Sequence, residues 1–176
     1  SMWGMVKKRV PWLIILLLAG TLTTNVLHNY EPPFLSAAFL TLFVPVITQT
    51  GGNSGTQSST LMIRGLATGE IRFRDFFSIL MRELLVGLIM GILLALVILL
   101  RSHFLPPGIG AYQAVAVGAS LAFVVLFSTL VGAIAPLVIH RLGFDPTVMA
   151  GPLMATVIDV IGLTIYFEIS RIILTL

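Results

Sequence analysis

One carboxylate lies where an isolated charge is costly. Asp159 sits about a third to a half of the way along an apolar run from about Val148 to Leu174. An Asp near the centre of a lipid-spanning helix costs about 2.5 to 3.5 kcal/mol on insertion scales. No Lys, Arg or His falls at comparable depth in any apolar run of the chain, so an internal ion pair cannot offset that cost. Three partners remain: a cation, a water-filled cavity, or, for a protonated acid, an acceptor on a neighbouring helix. Helical spacing puts Pro152, Ala155, Thr156, Gly162, Leu163 and Tyr166 on the same face as Asp159, and most of these are small or polar. Such a face leaves room for water and favours an ionised carboxylate beside a passage. Glu168 is rotated about half a turn away and belongs to the outer mouth or another surface.

A second polar feature runs from Thr48 to Thr60, reading TQTGGNSGTQSST inside an otherwise hydrophobic segment. Lipid offers these groups no hydrogen-bond partners, so they must face protein or water. Gln49, Asn53 and Gln57 recur every four residues as an oblique polar stripe, and Pro45 frees the carbonyl of Thr41. Exposed carbonyl and amide oxygens suit a hydrated cation. Gly51 and Gly55 make a small-xxx-small pair that brings helices close, and such close approach is also what would set a narrow bore, with Gly52 between them. Gly87 and Gly91 share that spacing without polar neighbours and are read as packing alone. Gly52 to Gly55 also match G-x-S-G, which resembles the nucleophile of rhomboid proteases. That chemistry needs a positioned base, whereas His28, His103 and His140 all fall at span ends or loops.

The elements that must carry these residues follow from composition. The chain has 176 residues, 57% hydrophobic and 10% charged, with a mean hydropathy of +1.07. A soluble domain of this size cannot bury so much apolar surface. A helix of roughly 20 apolar residues crosses the hydrocarbon layer, and the sequence predicts an all-α integral membrane fold with five transmembrane helices, at about 11–28, 34–62, 84–100, 112–139 and 148–175. Pro11 is placed in the first helical turn, and His28 to Pro33 are predicted to form the first turn between spans. Cysteine is absent, which rules out disulfides and thiolate metal sites. Ser1 and Met2 read as a scar of excision from a longer chain, and residues 1–10 as the remnant of a cytoplasmic connecting segment ahead of the pore domain at 11–176.

Orientation follows from the excess of Lys and Arg in cytoplasmic loops. With the N-terminus inside, Lys7, Lys8, Arg9, Arg64, Arg72, Arg74, Arg82 and Arg141 lie on one side, and Arg101 and Arg171 on the other. The expected location is the cell (inner) membrane, with the C-terminus outside. Phe73, Phe76, Phe77 and Leu80 recur at helical spacing, and Glu70 and Arg74 are an i,i+4 pair, so a short amphipathic interfacial helix is predicted between the second and third spans. No internal repeat supports the inverted halves of many secondary transporters.

The run Pro45 to Gln57, PVITQTGGNSGTQ, followed by Ile63 to Ala67, resembles the signature of MgtE-type magnesium channels. The later set Asp145, Pro146, Gly151, Pro152, Thr156 and Asp159, followed by Gly162, Leu163, Ile165, Tyr166 and Phe167, resembles the last span of that family. The resemblance implies a homodimer in the lipid bilayer, conducting Mg²⁺ through a central pore lined by the second and fifth helices of both copies. It implies a hydrated Mg²⁺ facing Asp159 and the backbone carbonyl of Ala155. Pore-lining positions would be Pro45, Gln49, Gly51, Gly52, Asn53, Gly55, Gln57, Gly151, Pro152 and Thr156. It also implies a cytoplasmic sensory domain, absent from this sequence, and with it weakened closure by cytoplasmic Mg²⁺. No catalysis and no nucleic-acid partner are expected. Mn²⁺, Co²⁺, Ni²⁺ and Ca²⁺ are not separated from Mg²⁺ by sequence. The alternatives are a cation-coupled carrier of divalent metals and the intramembrane serine protease.

Overall fold

The computed structural model describes residues 2–31 and 37–176; the predicted turn residues Pro32 and Pro33 and the predicted span start at Phe34 lie outside them. The described chain is mostly helical: α1 (Met2–Tyr30), α2 (Phe39–Thr68), α3 (Phe76–Phe104), α4 (Ala111–Arg141) and α5 (Pro146–Leu174). α1 and α3 begin well before the apolar segments that predicted them and α2 ends well after its own, whereas α4 and α5 match theirs to within two residues. Polar residues at a span end continue the helix until a specific stop is reached. For α2 the stop is Gly69, whose left-handed conformation (φ 75°) lets its N–H reach the carbonyl of Leu66. For α5 the start is Asp145, whose carboxylate accepts from the N–H of Thr147 at 2.8 Å, with Pro146 in the first helical position.

Two expectations are corrected. Pro11 lies inside α1 rather than in its first turn, because nothing between Met2 and Val10 interrupts the helix. The region before α3 contains no separate interfacial helix. Phe73–Asp75 form one 3-10 turn that passes directly into α3. The Arg72 N–H donates to the Asp75 carboxylate at 3.0 Å, which fixes that entry. Residues 69–72 are not helical, so Glu70 and Arg74 are not one turn apart; Arg74 instead lies 3.8 Å from Asp75.

Among the described residues, four helical segments are long and apolar enough to cross a membrane: Met2–Tyr30, Phe73–Phe104, Ala111–Arg141 and Pro146–Leu174. α2 is as long, at 30 residues, but Thr48 to Thr60 dilute its hydropathy. α4 is the hub, packing against α2, α3 and α5, while α1 touches the bundle along α5 and buries none of its residues.

Glycines and other small residues govern this packing, as expected where lipid supplies no hydrophobic drive and close contact must come from shape. A Cβ added at Gly132 of α4 would overlap the Gly55 carbonyl of α2. One added at Gly91 of α3 would stand 2.7 Å from the Ala122 carbonyl of α4, and one at Gly87 would stand 3.1 Å from Leu126. The packing role read for Gly87 and Gly91 is thus what the structure shows. Toward the other face of the bundle, Tyr166 donates to the Leu40 carbonyl at 2.9 Å, joining α5 to the start of α2. Tyr30 donates to Glu168 at 2.5 Å and stacks on Phe167, which holds the end of α1 against α5. The helix ends pair as a serial bundle requires: the Arg141 guanidinium lies 4.1 Å from the Phe73 ring at one end, and Tyr112 bonds the Ile173 carbonyl at the other.

Candidate functional site

Asp159 falls at the midpoint of α5 and is half-buried. Among the described residues, no hydrogen bond or ion pair satisfies its carboxylate. The helical face predicted to accompany it divides in two. Toward the α5 N-terminus, Gly151 and Ala155 are exposed and Pro152 and Thr156 are half-buried. Toward the C-terminus, Gly162, Leu163 and Tyr166 are buried in the bundle. Asp159 therefore stands where an open, small-residue surface meets a packed one. Pro152 contributes by geometry as well as size: its ring removes one helical N–H, and the carbonyl of Pro152 itself accepts from the Thr156 hydroxyl at 3.3 Å.

α2 passes beside this region. Gly51 and Gly55 are buried, and a Cβ at Gly51 would lie 3.2 Å from Ile158, the residue next to Asp159. At Gly55 the added atom would lie 2.5 Å from the same Ile158 and 3.4 Å from Met154. These two glycines thus hold α2 against α4 and α5 within the bundle. Gly52 and Gly151 differ: a Cβ on either would meet nothing within 4 Å. Open positions on both helices adjoin the contact that the buried pair creates.

The four-residue polar stripe does not stay on one face. Each step of four turns it by about 40° on a helix of 3.6 residues per turn. Pro45 lines a cavity near the end of α1, with Thr41, Val44 and Phe167, and Gln49 is exposed beyond it. Asn53 and Gln57 instead face a groove between α2 and α3, with Met90, Leu93 and Leu94 on its far wall. Ser54, of the G-x-S-G match, is buried on the packed side of α2. Among the described residues no histidine bonds to it, and His103 is engaged with the Ile109 carbonyl.

A buried acid that the apolar runs did not point to lies on α3. Glu83, only 4% exposed, accepts a hydrogen bond from the Ser58 hydroxyl at 2.9 Å. A span drawn from residue 84 leaves this acid outside the membrane, whereas α3 begins at Phe76 and carries it two turns into the bundle. The sequence did hold a signal: Ile79, Glu83, Gly87 and Gly91 recur at four-residue spacing, and all four are buried. Among the described residues no cluster of three or more His, Asp or Glu could hold a metal by itself.

Long apolar helices joined in a glycine-packed bundle, with a half-buried mid-helix acid beside an open face, define a multi-pass helical membrane protein. The sequence profile of MgtE, described as a divalent cation transporter, matches residues 44–169, which takes in the polar stretch of α2 and Asp159. The chain belongs to the MgtE family. The magnesium transporter MgtE of Thermus thermophilus is 40% identical over 166 residues, covering 94% of this chain and 36% of the relative. The magnesium transporters MgtE of Enterococcus faecalis and Bacillus subtilis are 34% and 30% identical, each over 93% of this chain and 36% of the relative. The chain thus spans little more than a third of the length of these curated relatives.

Proposed function

We propose that this chain is the pore domain of a magnesium channel, in which two copies pair and hydrated Mg²⁺ crosses between them along α2 and α5. The observation that carries this reading is Asp159: half-buried at mid-helix, without a protein partner among the described residues, and next to a surface of small side chains. A single carboxylate attracts a divalent ion strongly where the dielectric is low, and two facing carboxylates supply a charge that matches the ion. Mg²⁺ loses its water reluctantly, so the carboxylates and the Ala155 carbonyl act on the hydration shell rather than replacing it.

In this reading α2 also crosses the membrane, which makes five spans with the four more apolar helices. Its polar face, unsuited to lipid, borders the passage through Pro45, Gln49, Gly52 and Thr56, while Gly51 and Gly55 set how closely α2 approaches α5. Gly151, Pro152 and Thr156 border it on the other side. Asn53 and Gln57 border the groove toward α3. The excess of Lys and Arg at the end shared by Arg64, Arg82 and Arg141 supports an orientation with that end, and the start of α1, in the cytoplasm of a cell-membrane protein.

The test is Mg²⁺ flux into proteoliposomes. Asp159→Ala is expected to cut uptake by about a hundredfold, the scale on which a charged cleft raises local ion supply, while eluting as the same oligomer. Uptake equal to the parent chain removes Asp159 from the mechanism. Flux strictly tied to an imposed Na⁺ or H⁺ gradient, in place of single-channel currents, replaces the channel with a coupled carrier. Competition by Mn²⁺, Co²⁺, Ni²⁺ and Ca²⁺ ranks the cations that the passage admits.

A further inference from the structure

α2 and α3 each pack on α4 yet share no packed interface with each other. Between them runs an open groove. Its upper part is lined by Thr50, Asn53 and Gln57 against Met90 and Leu93, and its lower part widens to a cavity of ≈ 560 Å³ that includes Ser58 and Glu83. The Ser58–Glu83 hydrogen bond is the polar link across it, and it joins side chains that are 5% and 4% exposed. Arg82 Nε, on an exposed side chain, lies 3.6 Å from the other Glu83 oxygen.

A buried carboxylate is retained at a cost unless its hydrogen bonds are met, and a bond to a charged acceptor is roughly twice as strong as a neutral one. Small residues would pack α3 against α4 at this position as they do at Gly87 and Gly91. An acid on that same face has a different task. Its partner Ser58 stands one turn from Gly55 and two from Gly51, on the packed side of the helix whose opposite side carries Gln49 and whose flank carries Gly52. Rotation of α2 about its axis moves both sets together, and α3 is the fixed post against which the Ser58–Glu83 bond can resist that rotation.

We propose that Glu83 is a positioning residue for ion passage: through Ser58 it locks the rotation of α2 and so fixes the face that α2 presents beside Asp159. This rests on the reading of α2 as a wall of the pore. Glu83 itself does not touch the ion. Removing the bond should lower the maximal flux, because fewer copies hold the conducting arrangement at any moment, and leave the Mg²⁺ concentration for half-maximal flux unchanged, because the Asp159 site is intact. Glu83→Gln keeps a side-chain oxygen that can accept from Ser58, so it should largely rescue.

The experiment compares Glu83→Ala, Glu83→Gln, Ser58→Ala and the Ser58→Ala/Glu83→Ala pair for Mg²⁺ flux in proteoliposomes, with Asp159→Ala alongside. Expected are a roughly tenfold fall in maximal flux for each alanine variant, the scale of one charge-assisted bond, no further fall in the pair, and near-parent flux for Glu83→Gln. Because the chain has no cysteine, spin labels at Leu61→Cys and Leu88→Cys report the α2–α3 distance directly. That distance should broaden in Ser58→Ala and stay narrow in Glu83→Gln. Parent-like flux and distance in Ser58→Ala overturn the inference, as does a Glu83→Gln variant as impaired as Ser58→Ala, or additive losses in the pair. If Glu83→Ala does not yield folded protein, Ser58→Ala against Glu83→Gln still decides the matter. Unchanged flux in Asp159→Ala refutes the pore reading instead, and the label distances then judge the α2–α3 lock separately.

Discussion

Gly51 and Gly52 are consecutive residues of one helix, and the structure gives them opposite surroundings. A methyl group on Gly51 would press on Val124, Ser128 and Ile158 at 2.9–3.2 Å, whereas the same group on Gly52 would meet nothing within 4 Å. The contrast extends across the molecule. Gly55, Gly87, Gly91 and Gly132 are points where helices touch; Gly52 and Gly151 stand in open space. Glycine in a membrane helix therefore has two uses here, and only neighbours in space tell them apart. The first kind brings backbones together, as shape-driven association in lipid requires. The second kind leaves a surface clear of side chains, the surface along which the proposed passage would run.

The sharpest way to break this distinction is Gly132→Val. Its Cβ would overlap the Gly55 carbonyl, and neither backbone can yield without separating α2 from α4. The variant should lose about 3 kcal/mol or more, at the upper end of overpacking penalties, measured as thermal unfolding and loss of a monodisperse peak in detergent. Gly91→Ala should come next, at about 1 to 3 kcal/mol, because the Ala122 carbonyl stands 2.7 Å from the added atom. Parent-like melting of either variant would show that the helices are not held at these contacts. The smallest effect on stability is expected for Gly52→Ala and Gly151→Ala, within about 0.5 kcal/mol of the parent chain. These two should nonetheless alter Mg²⁺ flux, since they narrow the open face. Unchanged flux in both would leave the packed glycines as the functional ones and end the distinction.

Much of the fold was legible because membrane helices announce themselves by composition. The four most apolar helices were found from hydropathy, and α2 from an apolar run with polar insertions. The ends were misjudged for one reason: apolar length marks the part of a helix that sits in lipid, while caps and turns such as Asp145 and Gly69 decide where the helix stops. The same error hid Glu83, which a span beginning at residue 84 leaves outside. The polar stripe Gln49–Asn53–Gln57 was visible as a pattern, but its drift around the helix, from the Pro45 side to the α3 groove, becomes consequential only when neighbouring helices are present.

The sequence by itself determined that long helices form, that Asp159 lies in the middle of one, and that glycines at four-residue spacing would bring helices into contact. These follow from hydropathy and from periodicity along a single helix, which are local properties. Tertiary structure decided which side of α2 faces protein and which is left open. It also decided that Asp159 has no partner among the described residues and that Ser58 meets Glu83 across a groove. Each of these depends on how helices are rotated about their own axes. That rotation is set by contacts between segments far apart in the chain, such as Gly55 with Gly132, and no spacing within one segment encodes it.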